Sequence, residues 1–295
     1  MKKIKMVLDW FANTNHTGFY VALEKGYFKN EHLAVEISGK VHGEMTTDGA
    51  DIVVSPQPTL LTGMASGEKL LGVAVLTQRC DSGILSLAQA GVTRPRELTG
   101  KRLTHWKQDW FHKIVGKAVN DDGGDYSGVR LVQKDVGDIE ADLGVAADAT
   151  WIYKNWEYFV MIHAKKEVNY FAFADFGELY DFCAPGVTAS HGLADGDPEA
   201  LRAFLGAADR GFIEAAKDPD GAAALLAGHM PGWDPGLILE SQRYVSGLYL
   251  DDAGHWGAIR PPRWNVLADW MVAEGLIPAR MEREFTNEFL NRPND

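Results

Sequence analysis

The sequence predicts a two-lobed α/β protein with a helical C-terminal region. Three observations lead there. Short strands alternate with helices from residue 4 to residue 76, at the spacing of βαβ units that build a parallel sheet. A second, similar series begins after Cys80-Asp81-Ser82-Gly83. After Gly186-Val187-Thr188 the pattern changes to helices only.

In order, Ile4-Lys5-Met6-Val7-Leu8 reads as the first strand and Phe19 to Lys25 as the first helix, with Gly26 suited to a left-handed cap. Leu33-Ala34-Val35-Glu36-Ile37 is a second strand, followed by a polar loop from Ser38 to Gly49. Ala50 to Ser55 is a third strand, short and β-branched. Pro56-Gln57-Pro58 opens a helix over Thr59 to Ser66, because proline is favoured in a first turn, and Gly67 closes it. Lys69 to Leu76 is a fourth strand.

The second series reads as an extended Ile84 to Ala88, a short turn at Arg94 to Leu98, a strand at Arg102 to Thr104 and a helix over Asp109 to Val119. A strand at Val129 to Val132 and a helix at Asp138 to Leu143 follow. Then come a short strand at Val145 to Ala149, a loop at Thr150-Trp151, a helix over Tyr153 to Ala164 and a strand at Val168 to Phe171. Ala50-Asp51 and Ala147-Asp148 each begin a short strand that runs on into a helix, so the two series share one design, and a cleft between two such lobes is expected. In the tail, Asp197-Pro198, Asp218-Pro219 and Asp234-Pro235 each read as an N-cap followed by proline at the first helical position. The helices expected there cover 197–216, 218–228, 235–247, 263–274 and 279–290.

Composition narrows the partners. The 295 residues are 46% hydrophobic and 24% charged, an ordinary folded composition long enough for two domains. With 41 acidic and 29 basic residues the formal charge is -12, which argues against nucleic acid or an anionic membrane as the main partner. No apolar run is long enough to span a bilayer, so no direct membrane insertion is expected. Cys80 and Cys183 leave one disulfide open, and the sequence contains no CxxC metal cluster. Met1-Lys2-Lys3-Ile4-Lys5 runs straight into the first strand, so the chain reads as cytoplasmic as written, or as a periplasmic or extracytoplasmic mature form whose export signal was removed.

There is no GxxxxGK[ST], GxGxxG or GxSxG, so phosphate-loop, dinucleotide and serine-hydrolase readings have no local support. The nine histidines are scattered; His105 and His112 lie seven apart without a carboxylate placed to complete a metal site, and no metal or cofactor is expected. Aromatic and polar groups do gather at strand ends. The first series places Asp9, Trp10, Asn13, Asn15, His16, Ser55 and Gln57 there; the second places Trp106, Trp110, Trp151, Tyr153, Trp156, Glu157 and Asp175. Strand ends that open into polar groups before helices are where open α/β sheets bind small ligands. Asn13 to Asn15 also suit a plain helix cap, and several tryptophans suit core packing. A carboxylate beside a flat ring, as in Trp156-Glu157, suits a planar, amino-bearing heterocycle.

These motifs carry a resemblance. Asp9-Trp10-Phe11-Ala12-Asn13-Thr14-Asn15-His16-Thr17-Gly18, with Tyr20-Val21-Ala22 and Lys25-Gly26-Tyr27-Phe28, resembles the opening of the thiamine-pyrimidine family. That family includes importer binding proteins for formylaminopyrimidine and the thiamine pyrimidine synthases. Ser55-Pro56-Gln57-Pro58, Tyr153-Lys154-Asn155-Trp156-Glu157, Val168-Asn169-Tyr170-Phe171 and Asp175-Phe176-Gly177 are similar to later motifs of the binding-protein branch. The resemblance spans most of residues 4 to 190. It implies a type-II periplasmic-binding-protein fold, each lobe a mostly parallel sheet flanked by helices. Lobe 1 would take 1–84 and 188–295 and lobe 2 would take 85–187, with hinge crossings at Ile84–Ala88 and Val187–Ser190.

It further implies a small aminopyrimidine ligand held between the lobes, with no catalytic residue and with ABC permease subunits as partners. Trp10 and Trp156 would supply stacking faces, Glu157 would accept the amino group, and Asn13, Asn15, Ser55 and Gln57 would fix ring nitrogens or a side arm. His16, Trp106, Trp151, Tyr153 and Asp175 would line the same site. The alternative is a cytoplasmic synthase-like enzyme, and a third reading is a different flat heterocycle. The chain departs from the synthase branch. Ser55 and Thr59 stand near that branch's lysine and histidine, and Tyr180-Asp181-Phe182-Cys183-Ala184 holds one cysteine where the branch has a cysteine-rich motif.

Overall fold

The first strand shows the logic on which the structure is built. In β1 (Lys2–Val7) the alternating Ile4 and Met6 are buried while Lys3 and Lys5 face solvent, the period-two pattern of a strand with one covered face. The computed structural model describes residues 1–39, 49–106, 108–134 and 137–290. Most of the loop expected at Ser38 to Gly49, and Lys107, lie outside the described residues. The chain forms two units: Met1–Arg79 with Phe182–Val272 and Ile277–Asp295, and Cys80–Asp181 with Ala273–Leu276.

After β1 the first unit continues through α1 (Thr17–Glu24), α2 (Tyr27–Asn30), β2 (Leu33–Ser38), β3 (Ile52–Ser55), α3 (Gln57–Ala65) and β4 (Leu70–Val75). The second unit holds β5 (Ser82–Leu87), β6 (Arg102–His105), α4 (Asp109–Asp121), β7 (Arg130–Gln133), α5 (Ile139–Asp142), β8 (Ala149–Tyr153), α6 (Phe159–His163) and β9 (Val168–Ala172). The chain then returns to the first unit as β10 (Gly186–Ser190), α7 (His191–Ala194), α8 (Pro198–Lys217), α9 (Pro219–Ala227), α10 (Pro235–Tyr249) and α11 (Pro261–Ala273).

The two sheets share one topology, β2-β1-β3-β10-β4 and β7-β6-β8-β5-β9. In each, four strands run one way. The fifth, β10 or β5, is inserted antiparallel between two of them. The expected crossings at 84–88 and 187–190 are therefore interior strands, and the chain leaves the first unit at 79/80 and returns at 181/182. The shared design extends to single residues. Asp51, just before β3, accepts the Lys5 N–H through Oδ2 at 2.8 Å, and its own N–H donates to Lys5 O at 2.9 Å. Asp148, just before β8, makes the same pair of contacts to Arg102, at 2.8 and 2.9 Å.

Three expectations need correction. Val145 to Ala149 is not a strand: residues 144–146 form a turn, and β8 begins only at Ala149. Thr150 and Trp151 are not a loop: they belong to β8, and Trp151 is 1% exposed. The run Ala-Thr-Trp-Ile-Tyr is itself strand-forming, and it pairs with both β5 and β6. Nor is 279–290 a helix. The segment forms turns on either side of one bridge from Phe285 to β4, where Gly72 N donates to Glu284 O at 3.0 Å and Thr286 N donates to Gly72 O at 2.9 Å. Arg280 pairs with Glu284 without a helix between them, and buried Glu284 also accepts the indole N–H of Trp264 at 2.8 Å, a contact from another element. By contrast, the three Asp-Pro starts are caps as expected, with Asp197, Asp218 and Asp234 accepting from Ala200, Gly221 and Gly236 N–H.

The α1–α8 crossing sets where the first loop ends. A Cβ on Gly211 would lie 2.0 Å from Gly18 O, and one on Gly18 would lie 2.2 Å from Phe212. The Gly211 backbone meets the Gly18 carbonyl directly and the Phe212 ring lies on Gly18, which holds the N-terminus of α1 against the tail helices.

Candidate functional site

Each unit gathers its candidate residues at the carboxyl ends of its parallel strands. In the first unit β1 opens into Asp9 to His16, and β3 opens into α3. Asn13 caps the turn Thr14–His16: its Oδ1 accepts from Asn15 N at 2.9 Å and its Nδ2 donates to Phe11 O at 3.2 Å. His16 is fully buried and ties the loop at both ring nitrogens. Its Nδ1 faces the Asn13 N–H at 3.3 Å and therefore accepts, so Nε2 carries the proton and donates to Asp9 Oδ1 at 2.8 Å. Thr14 and Thr17 anchor the loop to α10 through Ser241 Oγ at 2.6 Å and Gln242 Oε1 at 2.5 Å.

What this bracing leaves open is specific. Asn15 is 4% exposed and its Oδ1 has no hydrogen-bond partner. Trp10 is half-buried, tilted against Phe11 at 4.2 Å between centroids. Gln57 is committed at both ends, donating to Trp264 O at 2.8 Å and accepting from Cys183 N at 3.1 Å. Ser55 is buried with its Oγ 3.4 Å from Thr188 Oγ1. Asn13, His16 and Gln57 thus shape the edge, whereas Trp10 and Asn15 present unused groups.

In the second unit the edge is built by β6, β8, β5 and β9. Trp106 follows β6, half-buried, and meets Trp110, Phe111 and Trp151 edge-on at 6.0, 5.0 and 5.8 Å. Trp151 and Trp156 are 1% and 2% exposed. Their faces are covered by protein, so the aromatic surface left on this edge belongs to Trp106 and Tyr153, both half-buried. β8 runs into a single π-helical turn, Lys154–Tyr158. That widened turn brings Glu157, 5% exposed, back to accept the Tyr153 N–H through Oε2 at 3.3 Å. Asp175 is exposed, in the turn after β9.

The residue missed in sequence is Asp81. It is 4% exposed and lies immediately before β5, on the same edge, because β5 is the strand that runs backwards. Its Oδ2 accepts the Asn155 N–H at 2.9 Å. Burial pushes its carboxyl up to about 6, against the lowering effect of that hydrogen bond, its own N–H and the charge of Lys154. The one available signal was an acid at the start of an otherwise apolar strand, Asp81-Ser82-Gly83-Ile84-Leu85. In β5, Gly83 is required by close approach, since a Cβ there would lie 2.0 Å from Phe171 O.

His105 and His112 come together from β6 and α4 with ring centroids 4.6 Å apart. Burial lowers the His112 pKa, and His105 adds to that. Among the described residues no group of three or more His, Cys, Asp or Glu side chains is placed to hold a metal ion. Cys80 and Cys183 are both buried and not joined by a disulfide.

A family model for "NMT1/THI5 like" proteins matches residues 13–222. The chain belongs to the NMT1/THI5-like family. Among its relatives, the formylaminopyrimidine-binding protein of Halalkalibacterium halodurans is 26% identical, over 92% of this chain and 86% of that protein. The 4-amino-5-hydroxymethyl-2-methylpyrimidine phosphate synthase of Uromyces fabae is 24% identical, over 98% of this chain and 87% of that protein. Of solved structures, the periplasmic aliphatic sulphonate binding protein SsuA of Escherichia coli superposes with a TM-score of 0.75 at 13% identity, covering 97% of this chain and 92% of that one. The fold of this NMT1/THI5-like chain is thus that of the type-II periplasmic solute-binding proteins, as its strand order and family resemblance implied. The family model begins at Asn13, inside the loop braced by Asp9 and His16, and reaches past Glu157 and Asp175.

Proposed function

We propose that this protein binds a small planar aminopyrimidine related to the pyrimidine of thiamine, as the solute-binding component of an ABC importer. The observation that carries the reading is the turn Lys154–Tyr158, which holds the buried Glu157 carboxylate against the N–H of half-buried Tyr153, at the strand-end edge that also carries half-buried Trp106. A carboxylate accepts from an exocyclic amine, and a flat aromatic face packs the ring; together they suit a 4-aminopyrimidine. The unpartnered Oδ1 of Asn15 adds an acceptor for a further donor. The formylaminopyrimidine-binding relative supports the same ligand class.

An importer component works outside the cytoplasm and hands its ligand to permease subunits, so we place this chain there with those partners. No helix among the described residues is long and apolar enough to cross a membrane. The synthase alternative is less supported, although a synthase stands among the relatives: Ser55, near that branch's lysine, offers a hydroxyl, which forms no imine with an aldehyde cofactor. Isothermal titration with aminomethyl- and hydroxymethyl-aminopyrimidines tests the proposal. Saturable heat with at least one of them is expected; no heat with any of them would sink it.

A further inference from the structure

Asp81 is held in a way that structural need alone does not explain. Its Oδ2 is pinned by the Asn155 N–H, while its Oδ1 is buried and meets no hydrogen-bond partner. A buried carboxylate oxygen left this way costs stability unless something else completes it. Glu157 is anchored on the Tyr153 N–H, two residues before Asn155, so both acids stand at the same end of β8.

The other ionisable groups around Asp81 do not supply the missing donor. Lys154 Nζ lies over the rings of Tyr158 and Tyr170, at 5.2 and 5.3 Å from their centroids. The Tyr170 hydroxyl donates to the Asp81 backbone carbonyl at 2.6 Å. Cys80 Sγ lies 3.2 Å from Ser82 Oγ, and Asp181 accepts the Cys80 N–H at 2.7 Å. Among the described residues Lys154 is the one positive charge that acts on Asp81, and it does not offset the desolvation.

We propose that Asp81 Oδ1 receives a protonated amine of the bound ligand, so that the site selects an amine-bearing aminopyrimidine over its neutral hydroxymethyl counterpart. This rests on the aminopyrimidine reading and adds to it a specificity-determining residue and a ligand charge. The physical reason is pairing: an ammonium group brings the charge and the N–H that this carboxylate lacks, and a charge-assisted hydrogen bond is about twice as strong as a neutral one.

The test is calorimetry at pH 7.5 on the native chain, Asp81→Asn and Asp81→Ser, with 4-amino-5-aminomethyl-2-methylpyrimidine and its 5-hydroxymethyl analogue. Asn keeps an acceptor for the Asn155 N–H but carries no charge. The native chain is expected to prefer the amine by about tenfold, and each variant to lose roughly tenfold or more for the amine but under about threefold for the alcohol. Equal loss for both ligands makes Asp81 a support of the turn and overturns the proposal; so does no loss for either. If the native chain binds neither pyrimidine, the functional reading fails and this inference with it. If it binds both and the variants keep its ratio, only the Asp81 assignment fails. Melting curves run beside the titrations show that each variant is folded, and Asp81→Ser carries the comparison should Asp81→Asn not fold.

Discussion

His16 Nε2 donates to Asp9 Oδ1 at 2.8 Å, closing the loop between β1 and α1 from a fully buried ring. Asp9→Ala leaves that N–H buried without an acceptor. The expected loss is ~2 kcal/mol of stability, read from denaturant unfolding. Nitrogen-15 spectra of the imidazole should show protonated Nε2 and bare Nδ1 in the native chain; the opposite tautomer would contradict the bracing.

Glu157→Gln keeps an oxygen for the Tyr153 N–H and removes the charge. Affinity for a 4-aminopyrimidine is expected to fall by roughly 10–100-fold, the size of a charge-assisted hydrogen bond. Titration calorimetry reads this directly, and an unchanged dissociation constant would remove Glu157 from the site.

Gln57→Leu separates shaping from contact. It strips partners from the Cys183 N–H and the Trp264 carbonyl, both buried. A stability loss of ~2–3 kcal/mol is expected with ligand affinity little changed in the folded fraction. Affinity falling with stability intact would move Gln57 into the ligand's contacts.

Asp81 makes stability depend on pH. Its carboxyl titrates near 6 in the folded chain against an ordinary 3.8, so the folded chain binds that proton more tightly than the unfolded one. The contribution is present in full below about pH 4 and is lost as pH rises through about 6, a span of ~3 kcal/mol. The melting temperature of Asp81→Asn should therefore exceed the native one by more at pH 8 than at pH 4. An equal gap at the two values would mean the native charge is not strained.

Gly211→Ala would drive a methyl group into the Gly18 carbonyl. Overpacking of this kind costs about 1–3 kcal/mol, and more where backbone cannot yield. A melting temperature equal to the native one would show that α1 and α8 separate easily.

Much of the site's inventory was legible because it is local. The loop Asp9 to Thr17 advertises itself by polar residues between a strand and a helix, and Asn13 caps its turn through residues two to three away. Tyr153 and Glu157 sit within one turn of each other. The roles were less legible, since a role depends on what else a side chain touches. Nothing near Gln57 in sequence announces Trp264 or Cys183, and Trp156 reads as a stacking face until its 2% exposure is known.

The sequence by itself determined the alternation of strands and helices, the Asp-Pro caps of α8, α9 and α10, the repeated Ala-Asp strand starts and the family resemblance. These are short-range patterns set by backbone geometry and side-chain period. Tertiary structure alone decided that β5 and β10 run against their neighbours and that residues 279–290 form turns around a single bridge from Phe285 to β4. It also put Asp81 on the same edge as Glu157. That last outcome follows from strand direction: a reversed strand presents its beginning where the other four present their ends, so a residue before β5 meets residues after β8.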